Sequence, residues 1–432
     1  REAVEAVAWG GERLALAPAL LERVAAGQAE LAALLAGGAR VYGVSTGTGW
    51  LASVDLGPAA QEDHQRNLLL GRAVGGPPWL EAAEARALLV TRLGNLVSGH
   101  AGVGPELCRF LVDRVNDGFV PAVPRGGAGC AGEVIPLAHA FQTLVGAGLV
   151  LEAGSVRDAG AALAERGALP HRLKAKEGIA LLAGSPLASA LALARLRAAE
   201  RLAGQLLASA AAAIDALAAP LDAYDEAVGR LAGDPLLEQV LADLRRAAGG
   251  REVPAPALQA PVSFRVAPQV LAQLRRTLGR LDEDVRRALA AVTDSPALVG
   301  GRVVAGGGFH AVGLAAGMDG LAVALVQAAE LAGQRLHRLL DGRFSGLPDQ
   351  LSPDPGPVTG LVLVQKRAVG ALAEARRLAA PASVGLADTS LGQEDAASYA
   401  PEAAEQLRRV EALTREVVAC ELLAARQAWW LR

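Results

Sequence analysis

The stretch Pro186 to Leu221, PLASALALARLRAAERLAGQLLASAAAAIDALAAPL, decides the fold class. Apolar residues recur at i, i+3, i+4 and i+7, with arginines and acids between them, and proline stands where a first helical turn needs no N–H. Small residues such as Ala208 and Ala210 to Ala213 lie on more than one side, and a helix apolar all round belongs in the middle of a bundle. Working outward, the same period fills Pro268 to Val292, Ala311 to Leu340, Gly360 to Leu378 and Pro401 to Leu431. In the last of these Leu407, Val410, Leu413, Val417 and Leu422 form the predicted stripe. Strand signals are short, the best being Arg40 to Val44 and Gly301 to Val304. The expectation is an all-α chain: an N-terminal domain over 1–185, then a long-helix bundle with C-terminal helices over 186–432, its flanks covered by partner subunits.

Composition narrows the function. Of 432 residues 52% are hydrophobic and 20% charged, enough to bury a large core. Basic residues number 42 and acidic ones 45, so the charge of -3 gives no case for nucleic acid or an anionic membrane. Cys108, Cys130 and Cys420 are too few for a disulfide framework or a zinc cluster, and none of the six histidines is paired at i, i+4, so no metal is expected. The apolar stretch Ile135 to Leu151 falls short of the ~20 residues of a membrane span and reads as a buried helix. No signal peptide is read at Arg1 to Trp9, and the location is expected to be cytoplasmic.

The informative segments are loops. Gly43–Gly49 (GVSTGTG), Gly126–Gly132 (GGAGCAG), Gly300–Gly308 (GGRVVAGGG) and Ser352–Gly360 are rich in glycine and poor in charge. Each alone is ordinary turn chemistry. Four in one helical chain point to a pocket where backbone approaches a small molecule.

The run Tyr42 to Gly49 resembles the Y-G-V-N-T-G-F-G loop of the histidine and phenylalanine ammonia-lyase family. QRNLLL (Gln65–Leu70), GEVIPLA (Gly132–Ala138), KEGIALLAG (Lys176–Gly184), GGGFHA (Gly306–Ala311), SGLP (Ser345–Pro348), PASV (Pro381–Val384) and QED (Gln393–Asp395) are similar to that family's motifs, in its order. The resemblance implies an all-α homotetramer of the ammonia-lyase/aminomutase superfamily, with long central helices, short strands near the active-site loops and sites shared among subunits. It implies ammonia elimination or an aminomutase shift, performed with the electrophile MIO, which the chain makes from an Ala-Ser-Gly tripeptide.

Here the tripeptide reads Cys130-Ala131-Gly132, and alanine has no hydroxyl to expel. Further departures from the family pattern are Val262 for a tyrosine, Ala183 and Gly308 for asparagines, and Ser295 for the asparagine before proline. These losses lead to the expectation of a divergent enzyme without MIO or any other cofactor. It would move protons (elimination, isomerisation or cyclisation) on a small substrate that carries its own activation. A catalytically silent binding or partner subunit, and an engineered serine-to-alanine variant of a working lyase, stand as alternatives.

The resemblance also assigns residues. Tyr42 is the expected acid/base group, with Glu394 as a second group or as its orienting partner. Arg265 would clamp a carboxylate through two parallel N–H···O bonds, within the run Gln259 to Arg265 that matches the family's catalytic loop. Gln259 and Phe309 would also contact substrate. Arg72 stands where the family's selectivity histidine stands; it either demands an acceptor or anion at the substrate's far end or turns away to an inter-subunit pair. Cys130, near the start of the helix expected at Glu133, is either a nucleophile with a lowered pKa or a packing residue.

Overall fold

A computed structural model describes residues 1–152, 154–249 and 257–432. Helices dominate, and the five long segments predicted from periodicity are observed as Pro186–Leu217, Ala267–Ala290, Val312–Leu340, Val362–Leu378 and Ala400–Leu431. Two apolar helical stretches, Glu177–Leu217 and Val312–Leu340, are long and apolar enough to cross a membrane, but their most apolar windows are mostly packed inside the protein. Ala188, Ala190, Ala192 and Leu193 are all fully buried, whereas Glu200, Arg201 and Gln205 further along the same helix are exposed.

The chain divides into two compact units, four of whose five boundaries fall inside long helices: Arg1–Ala194 with Glu283–Ala316 and Ala382–Glu405, and Arg195–Asp282 with Gly317–Pro381 and Gln406–Arg432. In the first unit the helix Pro58–Leu70 packs on Glu177–Leu182 and on Val134–Gln142. A three-stranded antiparallel sheet (Val120–Pro121, Leu149–Glu152, Ser155–Asp158) and a hairpin (Ala297–Val299 with Arg302–Val304) complete it. Close approach of two helices depends on glycine at position 178, where an added Cβ would lie 2.2 Å from the Gln65 carbonyl oxygen.

The second unit is helical among its described residues and encloses charge. Arg335 and Glu421 form a buried ion pair, and Arg195 pairs with Glu411 in the same way.

Three expectations are corrected. Arg40 to Val44 is not a strand: the Ser45 hydroxyl accepts from the Val41 N–H at 2.8 Å, and the Val44 and Ser45 N–H groups both return to the Val41 carbonyl, closing a turn. Ile135 to Leu151 is not one helix, because the helix ends at Gln142, Gly146 takes a left-handed conformation (φ 77°) and a strand begins at Leu149. On the C-terminal helix Leu422 is 40% exposed, and its neighbour Glu421 takes the buried position.

Gly178→Ala must push the new methyl into the Gln65 main chain, which has no rotamer to escape through. A destabilisation of about 2–3 kcal/mol is expected, seen as a lower thermal midpoint than that of Gly370→Ala, where nothing lies within 4 Å of an added Cβ.

Candidate active site

The Tyr42 loop is held from beneath by one amide. Gln65, fully buried on the Pro58–Leu70 helix, donates Nε2 to the Gly43 carbonyl at 2.8 Å and accepts the Ile179 N–H on Oε1 at 3.0 Å. Gly43 has φ 69°, and an added Cβ would meet Ile179 Cγ1 at 3.0 Å, so neither the backbone nor the space admits another residue. Tyr42 remains 38% exposed, with its hydroxyl accepting the Gly49 N–H at 2.8 Å. The ring therefore spans its own loop and presents its oxygen at the loop's mouth.

Arg72 follows the C-terminal end of the same helix and turns toward this loop. Its Nη2 donates to Thr48 Oγ1 at 2.6 Å and its Nη1 to the Leu68 carbonyl at 3.3 Å. Burial pulls its pKa down, while the charges of Tyr42 and Glu394 act in the opposite direction. His64, one turn back from Leu68, has a lowered pKa from burial and then from the Arg72 cation. His64 and Thr48 belong to this corner although nothing in the sequence singles them out.

The tripeptide loop is tied to the QED segment. Glu394 Oε2 accepts the Ala131 N–H at 3.1 Å, and its other oxygen accepts the Ser390 hydroxyl at 3.0 Å. Glu402 accepts the Ala128 N–H at 3.3 Å. The Phe309 ring lies against Gly132, 3.5 Å from where a Cβ would stand. The first unit thus brings together Tyr42, Arg72, Glu394, Phe309 and Cys130 to Gly132. Arg265 and Gln259 lie in the second unit, Gln259 exposed and Arg265 with its Nε donating to the Ala260 carbonyl at 3.0 Å.

The lowered Cys130 pKa expected from a helix N-terminus is corrected. Burial raises it; the Ile135 and Val134 N–H groups counter this, and the carboxylates of Glu394 and Glu402 reinforce it. The thiol keeps its proton and donates to the Gly132 carbonyl, with Sγ 3.1 Å from the oxygen.

Behind the loop lies a buried charge cluster. Glu133 accepts the Leu187 and Ala188 N–H groups at 2.7 and 2.6 Å, capping the Pro186–Leu217 helix. Burial pushes its pKa up to about 7 against those two bonds and the Arg92 cation. Lys176, at φ 67°, donates Nζ to Asp294 at 2.8 Å, both groups being fully enclosed.

The family model described as aromatic amino acid lyase matches residues 1–432. The chain belongs to the aromatic amino acid lyase family. It is 38% identical over 441 residues to a histidine ammonia-lyase of Streptomyces avermitilis, covering 99% of this chain and 86% of that protein. The crystal structure of histidine ammonia-lyase from Trypanosoma cruzi superposes with TM-score 0.91 at 27% identity, over 100% of this chain and 83% of that one. The ergothioneine-degrading enzyme ergothionase from Treponema denticola gives TM-score 0.95 over 100% and 88%, and at 24% identity it shows the shared fold.

Membership overturns the expectation of a cofactor-free enzyme. The lyases that this chain matches over nearly its whole length are histidine ammonia-lyases, which use MIO formed autocatalytically. The inference that the substrate must carry its own activation falls with that expectation. At the loop itself Gly132 matches the group's third residue, while Cys130 and Ala131 depart from Ala-Ser and the Ala131 methyl supplies no oxygen. As they stand these residues do not fit the ring-forming dehydration.

A carboxyl group whose folded pKa lies above its unfolded value stabilises the fold at low pH, and this stability is lost as pH rises through the folded value. For Glu133 the window runs from the reference 4.5 to about 7. Glu133→Gln, which cannot ionise, is expected to lose less stability than the parent chain between pH 5 and 7. The difference approaches about 3 kcal/mol at most, measured by denaturant unfolding at stepped pH.

Proposed function

We propose that this family member is a lyase eliminating ammonia from a small α-amino acid whose far end carries a hydrogen-bond acceptor or a negative charge. The observation that carries the reading is the direction of Arg72: its guanidinium turns into the Tyr42 loop, where Nη2 donates to Thr48 Oγ1. A guanidinium in a partly enclosed corner needs acceptors, and a plain hydrocarbon ring in contact with it would strand its N–H groups. An imidazole nitrogen, an amide oxygen or a carboxylate would satisfy it.

In this reading Tyr42 moves the substrate proton. A phenol that takes up a proton must first give up its own, and the Arg72 guanidinium donates to Thr48 in the same loop. Glu394 keeps the tripeptide loop in place through the Ala131 N–H and is the second acid/base group of the proposal. Arg265 takes the substrate carboxylate through its two terminal nitrogens, its Nε being engaged by Ala260. Gln259 and Phe309 would line the substrate, and Cys130 would shape the loop as a thiol. Assembly into a homotetramer is part of the same proposal, and sedimentation of the purified chain checks it: a monomer would remove that part.

Ammonia release is to be measured at neutral pH from L-histidine, L-glutamate, L-aspartate and L-phenylalanine. Release from one or more of the first three, exceeding that from L-phenylalanine, is expected. Tyr42→Phe should lower kcat by about a hundredfold or more. Arg72→Ala should raise KM roughly tenfold or more for the amino acids with a distal acceptor, with no such rise for L-phenylalanine. Absence of ammonia from every compound would refute the lyase reading, and an Arg72→Ala enzyme with unchanged preference would refute the far-end acceptor.

A further inference from the structure

Arg265 ends a helix of four residues, Val262–Arg265. So short a helix makes almost no internal bonds, and its carbonyls must find donors elsewhere. Two consecutive ones do. The Tyr224 hydroxyl donates to the Phe264 carbonyl at 3.0 Å, and Arg335 Nη1 reaches the Ser263 carbonyl at 3.4 Å.

Neither donor is incidental. Tyr224 is 1% exposed, and burial pushes its phenol pKa well up, so the hydroxyl keeps its hydrogen. Arg335 is oriented by Glu421, which accepts Nε at 2.6 Å and Nη2 at 3.0 Å. Glu421 is itself fixed by the Ser209 hydroxyl at 2.7 Å. The members come from three long helices (Pro186–Leu217, Val312–Leu340 and Ala400–Leu431) and from the turn Leu221–Tyr224, all within the second unit. The Phe264 ring, fully buried, prevents the short helix from turning about its axis. A buried ion pair is a poor source of stability compared with apolar packing, but it fixes geometry where one arrangement must be selected.

We propose that Tyr224 and the Arg335–Glu421 pair are positioning residues for Arg265, gripping the two carbonyls that precede it so that its guanidinium is presented in one orientation. The proposal rests on the reading of Arg265 as the substrate-carboxylate ligand. Tyr224→Phe removes one oxygen and nothing else, and therefore isolates the grip from the packing.

The test compares three forms of the full chain. For the best substrate of the amino-acid panel, Tyr224→Phe is expected to raise KM about three- to tenfold, the weight of one hydrogen bond, with kcat changed less than twofold. Amide hydrogen exchange over residues 262–266 should quicken. Arg335→Met combined with Glu421→Met should act in the same direction. Should this double variant fail to fold, Tyr224→Phe alone decides.

Unchanged exchange over 262–266 in Tyr224→Phe overturns the proposal, and so does a fall in kcat at constant KM. Arg265→Ala separates the two claims. If it leaves KM unaltered, the carboxylate reading fails; if it raises KM and Tyr224→Phe does not, the positioning role fails. Where no panel compound turns over, exchange at 262–266 still decides whether the grip exists.

Discussion

The Gln65 amide is the constraint on which the rest of the site depends. One side chain satisfies a carbonyl of the Tyr42 loop and an N–H of the Glu177–Leu182 helix at the same time. A buried amide with both ends paired costs little, and removing either partner would leave a polar group stranded. Because the bond geometry is directional, the two bonds fix the position of Gly43 relative to Ile179. Tyr42, one residue before Gly43, inherits that precision. Arg72 follows the C-cap of the same helix, so the phenol and the guanidinium are referred to one rigid element.

Enclosed charge performs the equivalent task around the tripeptide loop. Lys176 pairs with Asp294, and Glu133 caps a long helix while facing Arg92. Glu177, fully buried, accepts the Gly104 and Lys174 N–H groups. Charges in such places cost desolvation energy and are tolerated when paired or when they receive several N–H groups. Glu133 receives two N–H groups, and burial still holds its pKa up near 7.

Much of the fold is legible in the sequence because alanine- and leucine-rich periodicity over some thirty residues leaves little choice of local structure. Where local competition decides, the pattern misleads: Arg40 to Val44 looks extended, and the Ser45 hydroxyl makes it a turn. Leucine outranks glutamate in hydropathy, which places position 422 on the predicted stripe, but Arg335 reverses that order by offering Glu421 a partner from a distant helix. In the site, the motifs name the residues and leave their directions open. The sequence leaves the direction of Arg72 open, and within the chain its Nη2 donates to Thr48 Oγ1. The dipole argument for Cys130 is sound as far as it goes: the Ile135 and Val134 N–H groups do lower its pKa, but burial has the larger effect. Neither Gln65 nor Tyr224 carries a local signal for its role, since each acts on carbonyls far away in sequence.

The Gln65 bridge has a consequence for the order of events as the polypeptide is made. Its two ends are separated by 22 and 114 residues. The N-terminal turn is closed by neighbours and by the nearer end of the bridge, but the farther bond requires residue 179. Closure of so long an interval carries an entropic cost that local turns do not. The chemistry-bearing corner of this protein therefore rests on a contact of long sequence separation as well as on its local turns.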